Sequence, residues 1–138
     1  MRRDLVGMDK SEKIEILHPD GSSGGAYSAG VEIDGWLFIS GQGPLDLSSG
    51  EVIEGSIEQQ TRRTLVNVQK ILRNAGAELT DVVKCTCHLS NIQDFARFNL
   101  VYAEFFPGVR PARTTVQSVL WGGIKVEIDA IARVRSRG

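Results

Sequence analysis

The chain is poor in cysteine and histidine, with two of each in 138 residues, and it carries no surplus of charge of either sign. Cys85 and Cys87 stand one residue apart and cannot make a disulfide framework. At this length a compact fold buries roughly 68% of the surface its unfolded chain exposes, so stability requires neither disulfides nor a metal. Sixteen Lys and Arg against seventeen Asp and Glu give a net charge of −1. The basic excess of a domain that grips nucleic acid through its phosphates is missing. No apolar run approaches ~18 residues, so no membrane-spanning helix is expected. The basic start Met1-Arg2-Arg3 leads into no apolar stretch of signal-peptide length. Zinc-hydrolase spacing, a Gly-x-Ser-x-Gly elbow and a phosphate-loop pattern are all lacking. The expectation is a single domain over residues 1–138, cytoplasmic, with residues 1–11 fraying and with neither nucleic acid nor membrane as a partner.

What is present is ordinary globular composition: 41% hydrophobic and 24% charged residues exclude a disordered chain. Residues 13–17 alternate Ile14 and Ile16 with charges and predict a short strand. A turn-rich loop follows from His18 to Gly25. Residues 28–33 and 36–40 form two strands joined by an Asp34-Gly35 hairpin turn. Ser56 is the candidate N-cap of a helix in which Thr61, Leu65, Val68 and Leu72 recur at helical spacing, with Gly76 as its stop. Residues 82–89 make a β-branched fourth strand. Asn91 caps a second helix bearing an aromatic stripe of Phe95, Phe98, Tyr102, Phe105 and Phe106. Residues 112–120 and 124–133 complete six strands. The order β-β-β-α-β-α-β-β describes an α+β sandwich, two helices on one face of a mostly antiparallel sheet.

Strand periodicity then sorts the side chains. In the last strand Val126, Ile128, Ala130 and Ala132 share one side, and Lys125, Glu127, Asp129 and Ile131 the other. In the fifth strand Thr114, Val116 and Leu120 are read as inward-facing, which places Arg113, Thr115 and Gln117 opposite. Arg113 and Glu127 are thereby expected on the same, helix-free face. The third strand is apolar on both sides, Trp36 and Phe38 against Leu37 and Ile39, and such strands are buried on both faces. One layer of helices covers one face, so a homo-oligomer is expected to cover the second.

The Cys85-Thr86-Cys87-His88 run does not read as a metal site, because in a strand His88 points away from both thiols and zinc needs converging ligands. Small core hydrophobes account for the cysteines, and a core stripe accounts for the aromatic residues of the second helix. Arg113 and Glu127 have two readings. One is a structural ion pair or two solvated charges. The other is a pocket for a small anion, in which the arginine fork clamps a carboxylate, the glutamate holds and activates a water, and Tyr27 adds a phenolic hydroxyl.

Several segments together resemble the Rid/YjgF family, the reactive intermediate deaminases. They include Gly25-Ala26-Tyr27-Ser28, Phe38-Ile39-Ser40-Gly41-Gln42-Gly43-Pro44, Asn99-x-x-Tyr102-x-x-Phe105-Phe106, the signature Pro111-Ala112-Arg113-Thr114-Thr115-Val116, and Lys125-Val126-Glu127-Ile128-Asp129-Ala130. The likeness runs from about residue 13 to 134. It implies a chorismate-mutase-like fold of the bacillus type, assembled as a homotrimer with clefts between subunits. The activity it implies is cofactor-independent hydrolysis of 2-imino or enamino acids, such as 2-iminopropanoate, to 2-oxo acids and ammonia. By the same resemblance Arg113 binds the substrate carboxylate and Glu127 positions the attacking water. Tyr27, Ser40, Gly41, Asn99 and Thr115 complete the pocket, and no metal is used. The chain departs from the family pattern at Ala26, Ala29, Gly43 and Thr115, positions that bear on substrate preference. A non-catalytic carboxylate-binding trimer and an endoribonuclease are the competing readings. Ligand binding without turnover marks the first, and salt-dependent RNA binding marks the second.

Overall fold

The structure, a computed structural model, describes residues 12–22 and 25–134; the expectation of fraying at residues 1–11 lies outside them. Six strands and two helices follow the expected order: β1 (Ile14–Ile16), β2 (Gly30–Ile33), β3 (Trp36–Gln42), α1 (Ile57–Asn74), β4 (Val82–Leu89), α2 (Phe95–Phe105), β5 (Ala112–Gln117) and β6 (Val126–Arg133). The strands form one sheet in the order β1-β2-β3-β6-β4-β5, antiparallel throughout except for the parallel pair β4–β5.

Local chemistry sets the element ends. Asp34 and Gly35 both take positive φ, 53° and 80°, as a tight β2–β3 turn with the favoured twist requires. At the start of α1 the Ser56 hydroxyl accepts from the Gln59 N–H, and the Gln59 side chain accepts from the Ser56 N–H. This capping box satisfies two donors that a helix start otherwise strands. Gly76, at φ 81°, ends the helix. The Gly76 and Ala77 N–H groups turn back to the Arg73 and Leu72 carbonyls, closing the last turn. Asn91 does not cap α2 directly. Its Oδ1 accepts from the Gln93 N–H within a 3-10 turn, Ile92–Asp94, that leads into the helix.

The core lies between the helices and one face of the sheet. Leu65, Val68, Ile71 and Leu72 of α1 and Phe98 of α2 pack against Leu37, Ile39, Val126, Ile128, Ala130 and Ala132, all buried. The inward set of β6 is therefore the expected one. Cys85 and Cys87 are buried in this core, and His88 stands on the other face of β4. Among the described residues no group of three or more His, Cys, Asp or Glu side chains gathers as a metal site. No helix among them is long and apolar enough to cross a membrane.

The opposite face of the sheet is open in the protomer. Trp36 is 39% and Phe38 44% exposed there, the doubly apolar β3 that the sequence shows.

Strand β5 departs from expectation. It ends at Gln117, and its faces are the reverse of those read from alternation. Arg113 pairs with Cys85 and Thr115 with Cys87 in the parallel register, so Arg113 and Thr115 lie on the helix side. Thr114 and Val116 lie on the open side, where Val116 is 39% exposed. β5 is an edge strand, and its faces are set by pairing with β4 rather than by its own apolar residues.

Candidate functional site

The expected site residues fall into two groups on different faces of the sheet. Glu127 is the Cα partner of His88, which places it on the open face. Arg113, in register with Cys85, is on the helix face. The expectation that both project from the helix-free face is corrected: within one protomer they do not share a pocket. The physical reason lies in α2, whose rings give Arg113 a platform that the open face does not offer.

The first group is built on a β-bulge. In the β3–β6 ladder Ile39 pairs with Ala130 and Gln42 with Ile128, so Ser40 and Gly41 together oppose the single residue Asp129. A bulge bends a strand and re-aims its side chains. Here it exposes the Gly41 backbone, and the Glu127 side chain lies over it: a Cβ on Gly41 would stand 2.5 Å from Glu127 Oε2 and 2.9 Å from its Cδ. Ser40 donates through Oγ to the Ser28 carbonyl at 2.6 Å and through its N–H to the Ala29 carbonyl at 3.0 Å. These bonds dock the segment after Tyr27 onto the bulge, with Tyr27 itself 56% exposed. Gln42, buried, donates from Nε2 to the Ser40 carbonyl at 2.9 Å. Asn67 of α1, fully buried, donates to the Gly43 and Leu45 carbonyls at 3.0 and 2.9 Å. Gln42 and Asn67 were not singled out in the sequence. Their signal is a buried amide whose partners are backbone carbonyls, and only the folded contacts reveal that.

The second group lies where α2 covers the edge strand. The Arg113 guanidinium carbon sits 4.7 Å from the Tyr102 ring centroid, 5.5 Å from that of Phe95 and 5.7 Å from that of Phe98. Arg113 Nη1 donates to Asn99 Oδ1 at 2.7 Å. Cation–π contacts and one hydrogen bond thus orient the fork while leaving further N–H donors for a ligand. Phe98, Tyr102 and Phe106 of the aromatic stripe are core, as expected, whereas Phe95 is exposed and serves with Phe98 and Tyr102 as the bed of this arginine. Thr115, two residues along the same strand face, has a buried Oγ1 without a hydrogen-bond partner. The Tyr102 hydroxyl is likewise buried, beside the Cys85 thiol. Burial, reinforced by the neighbouring Cys85 thiol, pushes the Tyr102 phenol well above its ordinary value. Burial also pushes both thiols up, Cys87 the further. They are neutral, unlike nucleophilic or metal-ligating cysteines.

Chemically, one group offers an oriented cation for a small carboxylate and the other offers a carboxylate packed on bare backbone. Comparison with known proteins agrees with this fold. The family described as endoribonuclease L-PSP matches residues 20–134. A 2-iminobutanoate/2-iminopropanoate deaminase of Rattus norvegicus is 40% identical over 109 residues, covering 78% of this chain and 80% of the rat protein. A Yersinia pestis protein of unknown function from the conserved Rid protein family superposes with a TM-score of 0.84 at 37% identity, over 89% of this chain and 100% of that one. TdcF of E. coli, solved with bound serine, superposes with a TM-score of 0.81 at 35% identity, over 89% and 99%. The chain belongs to the endoribonuclease L-PSP family, that of the Rid/YjgF proteins.

Proposed function

We propose that the protein hydrolyses reactive 2-imino acids to 2-oxo acids and ammonia, in clefts formed between the subunits of a homotrimer. The observation that carries this reading is the separation of Arg113 and Glu127 onto opposite faces of one sheet, each held by its own surroundings. They meet only if the open face of one protomer packs beside the β5 edge of another. The exposed Trp36, Phe38 and Val116 supply the apolar surface for such packing. The rat relative named as an imine deaminase and the serine-bound TdcF structure support a small amino-acid-derived ligand.

In this cleft the substrate carboxylate takes the free N–H donors of Arg113. Asn99 and the three rings keep the guanidinium plane fixed, so little order is lost on binding. Glu127 of the partner subunit, on its bulge with Ser40 and Gly41, holds a water against the imine carbon. The protonated imine is already electrophilic, so positioning and charge supply most of the effect. Water adds to the C=N carbon as Glu127 takes its proton, giving a carbinolamine. The proton then passes to the amino group, the C–N bond breaks as Glu127 takes the hydroxyl proton, and ammonia leaves with that proton as ammonium, the 2-oxo acid remaining. Residues of this chain suffice for every step, with no cofactor.

The test generates imines from a panel of amino acids with an amino-acid oxidase and follows competition with semicarbazide. Wild-type protein is expected to divert the imine to 2-oxo acid, and Arg113→Ala to lose this. No acceleration by wild-type protein with any imine overturns the reading, and saturable binding without turnover reassigns the clefts to carboxylate binding. RNA cleavage draws no support from a net charge of −1.

A further inference from the structure

Two buried amides of α1 lie behind the bulge, and the proposed reaction does not use them. Gln60 is 1% and Asn67 0% exposed. At ~100° per residue, seven residues bring them back to one side of the helix, about two turns and about 10 Å apart. An amide in such a place is costly unless it is hydrogen-bonded, and both direct their bonds to backbone at the ends of two strands. Asn67 Nδ2 donates to the Gly43 and Leu45 carbonyls, just after β3. Gln60 Oε1 accepts from the Lys125 N–H at 2.8 Å, just before β6, and its Nε2 donates to the Ile53 carbonyl at 2.9 Å.

These anchors flank the contact between Glu127 and Gly41. Gly43 stands two residues after Gly41, and Lys125 two residues before Glu127. The two anchored ends also meet: a Cβ on Gly43 would stand 3.1 Å from Ile124 Cδ1. The chain between them is tied to the same places, the Ile53 N–H donating to the Pro44 carbonyl and Lys125 Nζ to the Gly55 carbonyl, each at 2.7 Å. The regular β3–β6 ladder, meanwhile, is interrupted between Ile39 and Gln42. A bulge disrupts the ladder bonds that elsewhere fix one strand against the next. The α1 amides hold both strands at this interruption, and buried directional bonds specify a backbone position more narrowly than apolar packing does.

We propose that Asn67 and Gln60 are positioning residues for the reaction: acting through the ends of β3 and β6, they hold the bulge and Glu127 in the register that keeps the carboxylate over the Gly41 backbone. This rests on the reading of Glu127 as the water-holding carboxylate. Neither amide touches the substrate, and each acts through the strand it holds.

The test uses a cleft shared between subunits. In mixed assemblies of full-length Arg113→Ala and Glu127→Ala chains, an active cleft takes Glu127 and its bulge from the first chain and Arg113 from the second. Asn67→Leu, similar in size but without hydrogen bonds, is placed on one chain or the other, and native mass spectrometry verifies that mixed assemblies form. On the Arg113→Ala chain it is expected to lower the restored kcat by about tenfold to 10²-fold with KM little changed. On the Glu127→Ala chain it is expected to leave the restored activity unchanged, because the bulge of that chain carries no working carboxylate. Gln60→Met repeats the comparison at the β6 anchor. An equal loss on either chain, or failure of the variants to assemble, assigns the amides a merely structural role and overturns the proposal, as does no loss on either. A second readout needs no turnover: the backbone amide NMR signals of Ser40, Gly41 and Gln42 are expected to move in Asn67→Leu, and unmoved signals overturn the proposal. If those signals move while the mixture without Asn67→Leu or Gln60→Met restores no activity, the hold on the bulge stands and the deaminase reading falls instead.

Discussion

A Cβ added to Gly41 would stand 2.5 Å from Oε2 of Glu127, so the carboxylate occupies the space that any larger residue at position 41 would claim. Gly41 is not among the glycines at positive φ, so alanine fits the backbone, and the three nearest atoms its Cβ would meet all belong to the Glu127 side chain. Gly41→Ala is therefore expected to displace the carboxylate without unfolding the protein. Misplacement of a reacting group by about 1 Å costs on the order of 10²-fold in rate. Kinetics should show that loss in kcat with KM little changed. An equal loss confined to KM would place Glu127 in binding instead of chemistry.

Asn99 and Arg113 give a second test, because one substitution separates geometry from charge. Asn99→Asp keeps the acceptor that Arg113 Nη1 uses at 2.7 Å but adds an anion that competes with the substrate carboxylate. Its KM is expected to rise more than that of Asn99→Ala, although the alanine variant loses the bond altogether. Arg113→Ala removes two charge-assisted bonds to the carboxylate, about 1.5–3 kcal/mol each, or roughly 10²- to 10⁴-fold in kcat/KM. Isotherms for a non-reactive 2-oxo acid provide the matching binding measurement. If Asn99→Asp bound as tightly as wild type, Arg113 would not be the carboxylate clamp.

The buried thiols lead to an alkaline limit on stability. Burial holds both above their ordinary value in the folded protein. Above about pH 8.5 the unfolded chain loses protons that the folded chain keeps. Each thiol then lowers stability by up to about 1.4 kcal/mol per pH unit as pH rises, and contributes no pH dependence below that range. Urea midpoints measured from pH 7 to 10 should fall in the alkaline half. A thiol reagent at pH 8 should label neither Cys85 nor Cys87 until urea is added. Rapid labelling of the native protein would contradict this placement.

Much of this was legible in the sequence where a local rule decides. Ser56, Gly76 and Asp34-Gly35 are short-range devices, and each bounds its element where the sequence places it. Val126, Ile128, Ala130 and Ala132 form an unbroken period-two apolar row, and they face the core. In β5 alternation gives the wrong faces, because Val116 is its most apolar residue and apolarity alone turns it inward. Its faces follow instead from the parallel register that sets Arg113 beside Cys85, and from the α2 rings that receive the guanidinium; both are long-range contacts. The bulge at Ser40-Gly41 was also out of reach. An extra residue in β3 is visible only against its partner β6, where Asp129 alone stands opposite the pair. The site residues could be named from family likeness, but their division into two half-sites depends on the sheet.

That division is the central claim, and mixed oligomers test it most directly. Arg113→Ala and Glu127→Ala proteins, each inactive alone, are unfolded together in equal amounts and refolded into mixed assemblies. If each cleft takes its arginine from one subunit and its glutamate from the next, random mixing restores about a quarter of wild-type activity. If activity stays at the level of the separate variants although mixed assemblies form, Arg113 and Glu127 do not act together across subunits and the account is wrong.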